Sequence, residues 1–367
     1  MEWLNKIKDP LNNYLSALRK NENFTFFPAK KNLTKYGETI ELGFSTYALK
    51  IYYMTGEWEK LSINDQKKWI GFLNSFQKNV SRFPNNSYVD EYLVKSYDDS
   101  RLTKLPSEIA KKILNFSKKY NFESQNLKLL KAINAESKQA ISTLNQVGSE
   151  DYKLLENILD NHSEVSSYLN RYDWSKPWNA GAQFSSLCVY SNTHKLNLEL
   201  PLQSYINKKL DPDTGSYFSH RPESVREIIN GAMKVLTGLD WINVDIHKPD
   251  KLIDFCLSNE PVSEGCDIVD YVYVLSKCSQ QTNHRKNEIN KVFLRLLDDI
   301  KSLYVPEEGG FSYFVKKSQT HYYGAEIIKQ TNQADLHGTL LSLWGISMIC
   351  NNLEDNKINL DLKILKP

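Results

Sequence analysis

Apolar residues recur three and four positions apart through most of this 367-residue chain, and that period constrains the fold more than any other feature. The segment E-L-G-F-S-T-Y-A-L-K-I-Y-Y-M (41–54) shows it, and D-Q-K-K-W-I-G-F-L-N-S-F (65–76) repeats it. The same spacing predicts helices over 106–120, 126–147, 151–170, 179–190, 222–238, 249–258, 265–277, 286–303 and 336–350, besides the N-terminal segment. V-S-R-F-P-N-N-S-Y-V-D (80–90) reads as a turn-rich connector, and only short hairpins are expected near 194–220 and 311–330. No low-complexity linker splits the chain, so one all-α domain over 1–367 is expected, with the helices before residue 120 at its periphery. Helices joined by short loops leave three architectures: a solenoid, a pair of bundles, or a closed ring of helical hairpins.

A weak internal echo bears on that choice. Three loops carry glycine and then an aromatic residue: T-G-E-W (55–58), T-G-S-Y (214–217) and G-G-F (309–311). Glycine supplies the positive φ that ends a helix, and the aromatic ring can fold back between neighbouring hairpins. The spacing is irregular, so ordinary glycine turns explain the echo equally well.

Charge and cysteine usage exclude several classes. Lysine and arginine nearly balance aspartate and glutamate, for a net charge of +2, so there is no basic footprint for nucleic acid. The five cysteines, Cys188, Cys256, Cys266, Cys278 and Cys350, are odd in number and lack C-x-x-C spacing, which fits a reducing cytoplasm. M-E-W-L-N-K-I-K-D-P has no apolar signal-peptide core, and no run of apolar residues is long enough for a membrane span. A soluble cytoplasmic protein is expected, and the lysine- and asparagine-rich composition fits an AT-rich bacterial genome.

Chemistry concentrates in the last third. E-G-C-D-I-V-D-Y-V-Y-V-L (264–275) puts Glu264, Cys266, Asp267 and Asp270 at the start of a helix whose second half is apolar enough for core. P-E-E-G-G-F-S-Y-F (306–314) follows, and then Q-A-D-L-H-G-T-L-L-S-L-W-G-I-S-M-I (333–349). That order resembles the end of a protein prenyltransferase β-subunit, over about residues 260–350. The resemblance implies an α/α toroid of up to six inner and six outer helices, shared with squalene and oxidosqualene cyclases. It also implies a catalytic zinc held by an acid, a thiolate and an imidazole, which match Glu264, Cys266 and His337. The family acid is aspartate where this chain has glutamate.

The same residues have a reading of their own. Ser263 suits an N-cap, which puts Cys266 in the first helical turn, where the helix dipole favours thiolate. Thiolate, imidazole and carboxylate make a zinc set that leaves a fourth position open. Asp267 or Asp335 can replace Glu264 or orient His337. Paired acids in a metal-free pocket are another outcome, with Asp267, Asp270 and Asp335 as catalytic candidates. The bland alternatives are acids serving the helix dipole, a packed Cys266 and an N-capping Asp335.

Other clusters add candidates. S-Q-T-H-Y-Y-G (318–324) offers His321 as a catalytic residue and Tyr322 and Tyr323 as ligand contacts, or else a surface loop. Y-D-W-S-K-P-W-N-A-G-A-Q-F-S-S-L (172–187) brings Trp178, Gln183 and Ser186 toward a cavity if it opens an inner helix, with Gly181 permitting close helix contact. Tyr271 is a further ligand-contact candidate on the 264–275 helix. Asn230 and Lys234 are polar on a largely apolar helix, and solvent is the simplest destination for Lys234. L-D-P-D-T-G-S-Y (210–217) reads as a turn rather than a cyclase acid. No Walker or dinucleotide loop, G-x-S-x-G elbow, H-E-x-x-H or D-D-x-x-D is present.

Three functions follow as expectations. The first is a prenyltransferase- or terpenoid-cyclase-like toroid enzyme, zinc-dependent if the donors converge. The second is a carbohydrate-active toroid with two carboxylates across a cleft. The third is a non-catalytic toroid that binds a ligand or a protein. The expected partner is a small molecule, isoprenoid or glycan.

Overall fold

A computed structural model describes residues 3–22, 24–100, 123–159, 164–262, 264–353 and 362–367. Among them the chain is mostly helical. The helices are α1 (Lys8–Leu18), α2 (Lys35–Thr39), α3 (Leu42–Met54), α4 (Ile63–Asn74), α5 (91–100), α6 (Gln125–Gln146), α7 (Val165–Leu169), α8 (Pro177–His194), α9 (Glu199–Asn207), α10 (Val225–Trp241), α11 (Pro249–Ser258), α12 (Gly265–Ser279), α13 (Lys286–Ser302) and α14 (Leu336–Leu353). Strands are confined to two-residue antiparallel pairs: Gln77–Lys78 with Ser87–Tyr88, Tyr304–Val305 with Gly310–Phe311, and His321–Tyr322 with Ala325–Glu326. The helix expected over 106–120 and the Ser263 cap lie outside the described residues. No helix among the described residues is long and apolar enough to cross a membrane.

The helices sort into two kinds by their chemistry. α3 carries Lys50 as its one charged residue, α8 carries no acid, lysine or arginine, and neither does α14. These three are buried nearly all round, as a helix must be when both faces pack. α13, K-N-E-I-N-K-V-F-L-R-L-L-D-D-I-K-S, instead buries one stripe (Ile289, Val292, Phe293, Leu296, Leu297, Ile300) and charges the rest. The period of the apolar residues thus separates a covered layer from a covering one.

Packing gives the covered helices an order. α3 packs on α6, α6 on α8, α8 on α10, α10 on α12, α12 on α14, and α14 on α3 again. The succession returns to its first member. Neighbours run parallel where paired contacts show it. Arg226 and Asn230 of α10 reach Asp267 near the start of α12, while Asp240 reaches Lys277 further along both helices. Val269 lies against Gly345, and Ser276 bonds Asn352. α9, α11 and α13 make the return between successive parallel members. The sequence suggested a peripheral N-terminal region, but α3 sits within this circuit.

The α8–α10 contact is the closest, and small residues explain it. A Cβ added to Gly231 would stand 2.6 Å from Pro177 Cβ, and one on Gly181 would stand 3.1 Å from Lys234 Cβ. The three Gly-aromatic loops also do what their residue types allow. Gly56, Gly215 and Gly309 have φ of 72°, 73° and 82°, and Trp58, Tyr217 and Phe311 are buried in the main apolar cluster. That cluster runs from Leu4 to Leu365.

Two local expectations change. Of the helix expected over 151–170, only Val165–Leu169 forms among the described residues. The chain before it is extended because other partners satisfy its backbone: Gln77 brackets Lys153, Asn86 bonds the Leu154 carbonyl, and His194 accepts the Leu155 N–H. The segment 194–220 holds helix α9 and then one isolated bridge, Leu210 with Tyr217, rather than a hairpin of strands. Asp211 Oδ2 accepts from both the backbone and the hydroxyl of Thr214, so L-D-P-D-T-G is the turn its composition predicts.

Candidate functional site

All six helices of the circuit line one cavity of about 410 Å³. α3 lends Tyr47 and Lys50, α6 lends Lys138, and α10 lends Lys234. α12 contributes Cys266 and Asp270, and α14 contributes His337, Leu340, Leu341 and Trp344. The loop before α14 adds Tyr313, Gln319, Tyr322 and Tyr323, while Trp178 stands at the start of α8. The last described stretch covers the far end. Leu365 and Pro367 line the cavity, and the stretch bonds to Met54, Gln146 and Trp241, at the C-terminal ends of α3, α6 and α10.

Three lysines dominate the electrostatics. Neither an ion pair nor a hydrogen bond engages the side-chain amines of Lys50, Lys138 and Lys234 among the described residues. Burial, and then the charge of Lys234, bring the Lys50 ammonium down to about 7. Lys138 falls well below its ordinary value by burial and by repulsion from Lys234 and Lys50. The three amines are therefore close enough to feel one another. Among the described residues the one lining carboxylate is Asp270. Burial raises it to about 6 against the pull of Lys234, and its Oδ2 has no hydrogen-bond partner. Trp344 adds an indole N–H that is also without a partner. Unpaired donors lining one cavity are the chemistry of an anion site.

A second cluster sits at the helix starts. Tyr313 Oη donates to Cys266 Sγ at 3.1 Å, and the Cys266 backbone N–H donates to the same Tyr313 oxygen at 3.3 Å. His337 stacks on Tyr47 with centroids 4.6 Å apart, and its Nδ1 lies 3.0 Å from Gln319 Oε1. Burial, reinforced by Lys234 and Lys50, lowers His337 to about 3, so its imidazole is neutral. The helix dipole was expected to favour a Cys266 thiolate. Burial and the neighbouring Asp270 outweigh it and push the thiol up to about 11.

Several sequence candidates have other partners. Asp267 takes both oxygens to Arg226 Nε at 2.8 Å and Oδ1 to Asn230 Nδ2 at 2.8 Å. Asp335 caps α14 through the Gly338 N–H and holds the loop through the N–H groups of Tyr313 and Gln319. Glu264 accepts from the Val315 N–H at 3.2 Å and does not line the cavity. Among the described residues no three of histidine, cysteine, aspartate or glutamate gather into a set that can hold a metal. Glu264, Cys266 and His337 form no such set; Val315, Tyr313 and Gln319 bond Glu264 Oε1, Cys266 Sγ and His337 Nδ1 instead.

The ligand-contact candidates divide. Trp178, Tyr322 and Tyr323 line the cavity; Tyr322 Oη also donates to buried Glu136 at 2.9 Å, and Arg226 stacks 4.8 Å from the Trp178 ring. Gln183 bonds Asn134, and Tyr271 bonds the Cys256 carbonyl, both outside the lining. His321 is exposed on its two-residue strand, with Thr320 against its Nδ1. The sequence reading did not single out Lys50, Lys138, Tyr47 or Tyr313. A lone lysine in the otherwise uncharged α3 was a usable signal for the first; N-A-E-S-K-Q-A gives none for Lys138.

No family model, curated protein or solved structure matches this chain.

Proposed function

We propose that the helical circuit is an α/α toroid and that the protein is a small-molecule enzyme of the prenyltransferase and terpenoid-cyclase type, working on an anionic ligand in its central cavity. One observation carries the reading: Lys50, Lys138 and Lys234, from three different helices and without partners among the described residues, converge on the cavity that also holds Asp270 and Cys266. An anion such as diphosphate would neutralise the lysines and accept their hydrogens. Electron density gathering on a departing diphosphate would be stabilised by the same ammonium groups. The rings of Tyr47, Trp178, Tyr313 and Trp344 suit a cation left behind. Asp270, near its midpoint at neutral pH, suits proton transfer. No step is routed through zinc, because the donor set is not assembled. A glycosidase needs two carboxylates across its cleft, and among the described residues Asp270 is the one acid in this lining.

The test is calorimetric titration with pyrophosphate and with a prenyl diphosphate, followed by assay for pyrophosphate release. Binding that weakens roughly tenfold or more in Lys138→Met, the loss of one charge-assisted contact, supports the reading. No binding of either ligand by folded protein overturns it. Elemental mass spectrometry on the same sample reports whether zinc accompanies the chain.

A further inference from the structure

Acid–base work by Asp270 leaves the three lysines as a mere counter-charge, yet their arrangement supports covalent chemistry. Among the described residues nothing donates to or accepts from their amines, and they line one cavity with a carboxylic acid. We infer that Lys50 is an imine-forming nucleophile for an anionic aldehyde or ketone. The inference rests on the reading of this cavity as an anion site, and it adds the reactive group of the ligand.

The groups around Lys50 all act in one direction. Lys234 on α10 repels its proton, and the neutral His337 on α14 and Tyr47 on its own helix add no anion. At neutral pH a large share of Lys50 is therefore free amine. Lysines become nucleophiles by this route, through desolvation beside another cation. Lys234 remains to hold the ligand's anionic group, with the Lys138 amine beside it as a further donor, while the Lys50 nitrogen attacks its carbonyl carbon. In the carbinolamine that forms, the carbon–oxygen bond breaks with its electron pair on oxygen. Both protons of the original amine end on the departing water, and Asp270 can relay one of them. The product is a carbon–nitrogen double bond between Lys50 and the ligand.

The probe is pyridoxal 5′-phosphate, an aldehyde with a phosphate, trapped by cyanoborohydride and located by peptide mass mapping of the whole chain. Pyridoxal without the phosphate is the comparison, and pyrophosphate is the competitor. The inference expects about one adduct per chain at Lys50, absent in Lys50→Met, suppressed by pyrophosphate and at least tenfold slower with pyridoxal, as loss of a charge-assisted contact implies. Labelling spread over surface lysines, or centred on Lys138 or Lys234, overturns it. Titration with pyrophosphate separates the two levels. Pyrophosphate bound without selective Lys50 labelling sinks the imine and leaves the anion site standing; no pyrophosphate bound and no selective labelling sinks both. Wild-type mapping decides the matter even if Lys50→Met fails to fold.

Discussion

Tyr313 and Cys266 are bonded twice: the Tyr313 hydroxyl donates to Cys266 Sγ at 3.1 Å and accepts from the Cys266 backbone N–H at 3.3 Å. The pair ties the loop before α14 to the first turn of α12 and sets one wall of the cavity. It also bears on the state of the thiol. Burial and Asp270 hold Cys266 protonated, with the Tyr313 bond opposing them.

Cys266 should therefore resist alkylation at neutral pH. Its iodoacetamide rate, followed by peptide mapping, should climb through pH 9 and 10 toward a midpoint of about 11. Tyr313→Phe should move that midpoint higher. A midpoint below the ordinary thiol value would contradict the geometry described.

Asp270 costs stability at neutral pH. Its folded value, about 6, lies above the ordinary 3.8, so its protonated form is favoured by folding. That contribution is present below pH 4 and lost as pH rises through 6. Asp270→Asn should thus gain stability on wild type across this window, by about 1–3 kcal/mol above pH 7, and match it below pH 4. Urea midpoints at pH 4 and pH 8 test this; equal differences at both would count against it.

Asp335 should behave in the opposite sense on substitution. Its carboxylate holds three backbone N–H groups, those of Gly338, Tyr313 and Gln319. Asp335→Ala leaves them buried without a partner and should cost about 2–4 kcal/mol, by a cap lost and loop donors orphaned. Hydrogen exchange should rise first at Tyr313 and Gln319. Unchanged protection there would show that the side chain is not what anchors the loop.

The lysines should trade stability for binding. Lys138→Met keeps the aliphatic stem and removes an amine whose charged form is disfavoured by burial and by Lys234 and Lys50. The apo protein should gain about 1–2 kcal/mol while anion binding falls. Thermal melts with and without pyrophosphate report both quantities. A destabilised variant would mean that Lys138 has a stabilising partner in solution.

Residues 362–367 should act as a cover. Leu365 is buried, the Lys363 and Lys366 backbone N–H groups bond Met54 and Gln146, and Trp241 donates to the Pro367 carbonyl. Deleting them uncovers the C-terminal ends of α3, α6 and α10 and should lower stability by about 2–4 kcal/mol through lost apolar burial and hydrogen bonds. The Trp241 emission should shift toward that of exposed indole. An unshifted spectrum would argue that this end of the cavity is closed by other means.

Sequence alone determined most of the helices, because their signal is local. The period of apolar residues, glycines at positive φ and a capping Asp335 are properties of neighbours in the chain. α11 was expected over 249–258 and spans Pro249–Ser258. Local pattern also marked residues 264–270 as polar at a helix start, and the cavity lining includes Cys266 and Asp270 from that stretch. Tertiary structure decided the rest, because a helical period reports which face is covered and not what covers it. Lys234 read as solvated, yet it meets Lys50 and Lys138 from helices more than ninety residues away in the chain. Asp267 and Asp270 looked equivalent one turn apart; a guanidinium took one and a cavity took the other. The thiol state was decided the same way, since the dipole at a helix start is written in sequence but the burial that overrides it belongs to the assembled fold.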